Sequence, residues 1–178
     1  FRWGLSASMG EPVTQVVGNA SVTTAKYLVP GAVTAWVAGI AGGIRSARER
    51  GSRYDRVGRL ATYVLFGLPG FWLAALALVY LDGGGSLTRD VIVPAGVVTA
   101  ALLAGQVSLT RSRSVDEFDA DYVRYLRAKG LDENTVDSRV LRNVIVPVLS
   151  MTAAELFSVL VLSVVVIESL IGIEGLGW

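Results

Sequence analysis

Polar and apolar positions separate along this chain into long blocks. Four apolar stretches, Tyr27 to Ile44, Leu60 to Leu81, Val91 to Thr110 and Val144 to Ile167, alternate with polar connections, and the only charged side chain inside any of them is Glu155. A helix rises about 1.5 Å per residue and a bilayer core is about 30 Å thick, so about 20 apolar residues cross it. Each stretch meets that length, which predicts four transmembrane helices. Burial of four such helices inside a soluble protein would leave too little polar chain in 178 residues to cover them.

The basic residues then set the orientation. The connection after the first stretch holds Arg45, Arg48, Arg50, Arg53, Arg56 and Arg59, and the one after the third holds Arg111, Arg113, Arg124, Arg127, Lys129, Arg139 and Arg142. These are 13 of the 16 Lys and Arg residues, and only Arg2, Lys26 and Arg89 lie on the other side. Basic residues favour the cytoplasmic side of spans, so both Arg-rich connections are placed there, and Phe1, Asp82 to Asp90 and Trp178 outside. Gly83 to Ser86 reads as a tight turn on the outside.

Within the spans a few positions break the apolar monotony. Ala35, Gly39 and Gly43 recur every four residues and predict a close helix contact, because helices in lipid associate where small residues let backbones approach. Pro69 and Gly70 predict a helix kink in the second span, since proline removes a backbone donor. Glu155 lies at the middle of the fourth. A carboxylate at that depth costs several kcal/mol, on the order of 3, and so belongs against a bundle interior or a wet cavity. Ser150, Ala154 and Ser158 place a small, weakly polar face beside it, and Glu155, Ser150 and Ser158 are the candidate lining of a solute path. Glu168, at the outer end, is expected to reach interfacial water.

The connection from Arg111 to Asn143 is 33 residues long and carries seven basic and seven acidic side chains. That is too long for a hairpin between spans and too balanced for a polybasic lipid patch. Val115, Phe118, Tyr122, Tyr125 and Leu126 follow helical spacing and predict a helix over Val115 to Lys129 that stops at Gly130. Asp132 is suited to cap a second short helix running through Val136, Val140 and Leu141 toward the last span. Two helices joined at a glycine make a cytoplasmic knob for a partner's groove.

Composition narrows the chemistry. Cys and His are both absent, which excludes disulfides, thiolate nucleophiles, imidazole bases and His-ligated metals, and the net charge of +1 gives no reason to expect nucleic acid. No Gly-x-x-x-x-Gly-Lys-Ser/Thr loop is present to cradle phosphates. The chain is therefore expected to be no enzyme and to hold no cofactor or metal.

The run Asp121 to Leu131 (DYVRYLRAKGL), followed by Leu141 to Leu149 (LRNVIVPVL), resembles the signature loop of ABC importer permeases in the dipeptide/oligopeptide/nickel branch. The resemblance extends through Met9 to Val13, Gly51 to Arg56, Pro69, Phe71, Trp72, Val166 to Glu168, Gly172 and Gly175 to Gly177. Two features depart from it. Arg124, Tyr125 and Leu126 stand where the loop's Glu-Ala-Ala belongs, and Asp82 to Asp90 is a short outside connection. The resemblance implies an all-α polytopic bundle like a type I importer transmembrane domain, in the cytoplasmic or inner membrane. It implies one partial domain over 1–178, lacking terminal spans at both ends. Implied partners are a second homologous permease, two cytoplasmic ATP-binding subunits, an extracytoplasmic solute-binding protein and membrane lipid. The loop residues Arg124, Ala128, Lys129, Gly130, Leu131, Asp132 and Glu133 would then couple to the ATPases, with a peptide or similar small solute as cargo. The competing reading is a secondary transporter using Glu155 as an ion or proton site.

Overall fold

The computed structural model describes the backbone of residues 4–6, 10–81 and 85–178, and the side chains of these except residues 81 and 155–163. Met9, Asp82, Gly83 and Gly84 lie outside the described residues, as do the side chains of Glu155 and Ser158. The regular elements of the described chain are helices, and its one isolated bridge joins Leu5 and Pro12. The helices are α1 (Val13–Arg48), α2 (Arg53–Gly67), α3 (Gly70–Leu81), α4 (Val93–Phe118), α5 (Asp121–Ala128) and α6 (Glu133–Ile171), with a π-helical turn Thr88–Ile92 leading into α4.

The apolar stretches fall on helices, with corrected limits. Helix α1 begins 14 residues before the expected start of the first span and is 36 residues long. Among the described residues two helical segments, Val13–Arg48 and Thr88–Phe118, are long and apolar enough to cross a membrane. A third is added if the broken pair Arg53–Gly67 and Gly70–Tyr80 is one span. The stretch Leu60 to Leu81, expected as one kinked helix, is thus two helices. Leu68 has left the helical region at φ −95°, ψ 115°, the extended conformation that the ring of a following proline imposes on its neighbour. The fourth stretch is helical throughout as part of α6, and residues 155–163 within it lie outside the described side chains.

The knob also departs from expectation. The single helix predicted over Val115 to Lys129 is divided, because α4 continues to Phe118 and α5 starts afresh at Asp121 from an extended Ala120. The second helix is not short, since α6 runs 39 residues without interruption from Glu133 to Ile171. Pro147 lies inside it.

The contacts divide the chain into two compact units. One comprises Val33–Leu68 and Thr99–Phe157. Its apolar core is a column of valines, Val136, Val140, Val144 and Val148, at the four-residue spacing that keeps one face of α6 inward, closed by Val123 and Leu126 of α5. Here the small residues of α1 meet α4. A Cβ at Gly43 would stand 2.6 Å from Cβ of Thr110, and one at Gly39 would collide with Cβ of Gln106, so only glycine permits this approach. Gln106 is fully buried and accepts a hydrogen bond from Thr152 Oγ1 at 2.9 Å.

The other unit comprises Phe1–Ala32, Pro69–Val98 and Ser158–Trp178. Tyr27, Ala74, Val97, Val98, Ile167 and Ile171 are buried in it. Close approach recurs at Gly31, where a Cβ would stand 2.7 Å from the carbonyl oxygen of Ala95.

Candidate functional site

The connection between α4 and α6 is built by two local stop signals. At the end of α5, Gly130 adopts φ +76°, a conformation costly to most residues with a Cβ. Its N–H donates to the Arg127 carbonyl at 2.9 Å and that of Leu131 to the Leu126 carbonyl at 3.3 Å, the paired bonds that close a helix on a left-handed glycine. Asp132 then opens α6. It accepts from Thr135 Oγ1 at 2.5 Å, and these bonds with nearby backbone amides hold its carboxyl below the usual range.

Of the predicted coupling residues, Arg124, Ala128, Lys129, Gly130, Asp132 and Glu133 are exposed. Leu131 is half-buried and packs on the valine column, which anchors the turn. A Cβ at Gly130 would meet nothing within 4 Å, so the glycine faces open space. Arg127 pairs with Glu133 across the turn at 3.0 Å, and Lys129 lies over the Tyr125 ring at 4.5 Å. The bulky Arg124 and Tyr125 both point outward, with Arg124 3.5 Å from Asp121.

A second cluster ties the loop's start to the first linker. Gly51, at φ +80°, turns the chain from α1 into α2, and Ser52 caps α2 by accepting from the Asp55 N–H at 3.1 Å. That geometry aims the buried Asp55 side chain inward. Asp55 Oδ1 accepts from Ser46 Oγ at 2.6 Å and from Arg111 Nε at 2.6 Å, while Oδ2 accepts from the Gly51 N–H and from Arg111 Nη2, each at 3.0 Å. The Arg111 guanidinium therefore holds this carboxyl well below the usual carboxylate range, against the cost of burial. Arg48 with Asp137 at 2.7 Å and Arg50 with Asp119 at 3.1 Å clip the same linker to the loop.

A third cluster lies in the other unit. Glu168, expected to reach interfacial water, is instead fully buried. Its Oε1 accepts from Thr24 Oγ1 at 2.5 Å and Tyr27 Oη at 2.7 Å, and its Oε2 accepts from the Gly177 N–H at 2.6 Å. Thr24 Oγ1 in turn accepts from the Leu176 N–H at 3.0 Å. Gly175 lies so close to the carboxylate that any Cβ there would overlap it. Burial corrects the expectation because Gly172, at φ +75°, folds the terminal segment back over the helix end.

The remaining predicted residues are placed as follows. Ser150 is exposed and donates to the Val146 carbonyl at 3.0 Å. Glu155 and Ser158 fall on α6, but their side chains are outside the described residues. Pro69 and Gly70 occupy the break between α2 and α3. Among the described residues no group of three or more His, Cys, Asp or Glu side chains is arranged to hold a metal.

Residues 39–178 match the family described as the binding-protein-dependent transport system inner membrane component. The metal-staphylopine import system permease protein CntB of Staphylococcus aureus is 30% identical over 99% of this chain and 59% of its own. The oligopeptide transport system permease protein AppB of Bacillus subtilis is 28% identical over 94% of this chain and 59% of its own. The glutathione transport system permease protein GsiC of Salmonella choleraesuis is 28% identical over 98% and 60%. The chain thus spans about three fifths of the length of the curated relatives it matches.

Proposed function

The chain belongs to the family of binding-protein-dependent transport system inner membrane components, multi-pass proteins of the cell membrane, and from that premise we propose that it is the permease subunit of an ATP-driven importer. In this reading 1–178 is one transmembrane domain with four spans, at about 27–44, 60–81, 91–110 and 144–167, and a cytoplasmic coupling loop over 111–143. The domain pairs with a second, similar permease to enclose the solute path, and receives cargo from an extracytoplasmic solute-binding protein. Two ATP-binding subunits hydrolyse ATP. Peptides and similar small solutes are the proposed cargo, in keeping with the relatives named for oligopeptides, glutathione and metal-staphylopine.

One observation carries the coupling role: α5, the left-handed Gly130 and the start of α6 present Ala128, Lys129, Gly130, Asp132 and Glu133 outward on a turn fixed from below by Leu131. A rigid, small-residue tip flanked by carboxylates suits insertion into a partner groove with basic residues. The proposed path residues are Glu155, Ser150 and Ser158 on α6, and the break at Pro69 and Gly70 supplies backbone that cavity water or a neighbouring helix can satisfy. A secondary transporter would use Glu155 without any need for the loop. The family argues for the importer.

Co-purification of the ATP-binding subunits with Gly130→Val and Glu133→Arg tests the reading. Reduced recovery and loss of solute-stimulated hydrolysis, with membrane insertion intact, is the expected result. Undiminished recovery and hydrolysis in both variants would sink the assignment of the loop.

A further inference from the structure

One face of α1 carries Asn19, Thr23 and Lys26 at four- and three-residue steps. With Ser86 and Asp90 from the segment leading into α4, and Glu174 from the segment after α6, they supply the polar side chains that line an open cavity of about 710 Å³. The volume is within the range of small-molecule sites, roughly 300–1,000 Å³. Every residue that lines it lies in the unit of Phe1–Ala32, Pro69–Val98 and Ser158–Trp178.

The three walls are tied to one another by hydrogen bonds. Thr24 and Tyr27, each one residue beyond a cavity residue, donate to Glu168 at 2.5 and 2.7 Å. The Leu176 N–H donates to Thr24 Oγ1 at 3.0 Å, which brings the segment after α6 onto α1. Arg89 Nη2, beside Asp90, donates to the Ile171 carbonyl at 3.0 Å and joins the π-helical turn to the end of α6. Such turns are rare and recur at functional sites. The charged groups on the cavity side take no part in this framework: among the described residues Lys26, Asp90 and Glu174 form no ion pair. The cavity is held by its backing, and its own charges are left for a ligand.

Those charges are of both signs, one ammonium and two carboxylates. A simple anion at Lys26 would meet Asp90 and Glu174, and a simple cation at the carboxylates would meet Lys26. A ligand with an ammonium at one end and a carboxylate at the other satisfies both. The Asn19 amide and the Thr23 and Ser86 hydroxyls can donate to and accept from a peptide group between those ends. Two carboxylates against one ammonium also favour a neutral or basic ligand over an acidic one.

We propose that this cavity binds a short peptide as a zwitterion, its carboxylate at Lys26 and its ammonium at Asp90 and Glu174. That the peptide is cargo rests on the importer reading proposed above, whereas the charge pattern of the ligand does not.

The test uses the full-length subunit in its complex, in a neutral detergent and without the solute-binding protein, with binding of radiolabelled trialanine followed by equilibrium dialysis. Trialanine is expected to bind. N-acetylation or C-terminal amidation should each weaken binding by about fivefold, the upper end of what an exposed charge pair contributes. Lys26→Gln should bind trialanine as weakly as the amide and lose the amide penalty, while Lys26→Arg keeps it. Asp90→Asn with Glu174→Gln should lose the acetylation penalty. Each variant should retain the other penalty, which a misfolded cavity would not. Absence of trialanine binding, equal binding of trialanine and its amide by the unaltered complex, or an amide penalty that persists in Lys26→Gln overturns the site. Binding of alanine equal to that of trialanine, or displacement of trialanine by dioleoylphosphatidylethanolamine, overturns the assignment to peptides. ATP-driven uptake separates this site from the importer reading. Trialanine bound here with no uptake driven by ATP sinks the importer and leaves the site, whereas uptake with the penalties unchanged in both variants sinks the site alone.

Discussion

Asp55 and Glu168 are both buried carboxylates, 1% and 0% exposed, yet their surroundings are opposite in kind. Asp55 faces a cation, and each of its oxygens accepts an N–H from the Arg111 guanidinium. Glu168 has no ion pair among the described residues and rests on two hydroxyls and one backbone N–H. Guanidinium and amide N–H groups can only donate, whereas a hydroxyl can turn and accept. The first cluster therefore requires an acceptor at both carboxylate oxygens. The second requires one only at the oxygen facing Gly177. Charge can be buried either way, but only the first arrangement depends on the charge itself.

Substitution by the neutral amide separates the two sites most sharply. Asp55→Asn has to direct its NH₂ at a guanidinium N–H whichever way it is turned, and leaves Arg111 without its counter-charge. A loss of about 3 kcal/mol is expected from breaking a buried pair at one partner. Thermal unfolding of the detergent-solubilised complex measures it, and a loss below that of Glu168→Gln would reverse the comparison. The pH dependence follows from the same pair. Asp55 is depressed in the folded state, so its contribution is complete above the unfolded carboxyl's pKa, about 3.9, and disappears as pH falls through the folded value. The unfolding temperature should drop on acidification below about pH 4, and less steeply in Asp55→Asn.

Glu168→Leu is expected to come next, at about 2 kcal/mol, because the Gly177 N–H and the Tyr27 hydroxyl are left buried without an acceptor. Protease sensitivity near Gly172 to Trp178 reports it, and a terminal segment as resistant as in the unaltered protein would remove Glu168 as its anchor. Gly130→Val should cost about 1 kcal/mol through its left-handed backbone, with Gly130→Asn markedly milder, since asparagine tolerates that region. Equal unfolding temperatures for the Val and Asn variants would contradict the strain. The smallest effect belongs to Glu168→Gln. With its carbonyl toward Gly177 and its NH₂ toward Thr24 and Tyr27, whose hydroxyls rotate to accept, the loss should stay under about 1 kcal/mol.

Which of these features a reader of the sequence can reach depends on how far apart their partners lie. The left-handed stop at Gly130 and the capping Asp132 are decided within a few residues, and their positions are plain in the string Ala128 to Glu133. The apolar stretches are equally local. Their limits are not, because α1 continues through Gln15, Asn19 and Lys26, polar positions that carry no span signal while the backbone keeps its helical bonds. The break at Asp119 and Ala120 is invisible for a related reason: Val115, Phe118 and Tyr122 keep helical spacing across it. Asp55 and Arg111 are 56 residues apart, and Glu168 meets Thr24 from 144 residues away, so no periodicity links either pair. The glycines at 172, 175 and 177 are a signal of close approach beside Glu168, but its position at the end of an apolar run points instead to water.

Pro147 carries a consequence for how α6 exchanges its amide protons. A proline within a helix has no N–H to give to the carbonyl four residues back, so the ladder lacks its rung at Asn143, immediately before the apolar run begins at Val144. In deuterium the amides from Thr135 to Asn143 and those beyond Val148 should then report as separate stretches, the first fading at the rate set by the loop, the second protected by its apolar surroundings.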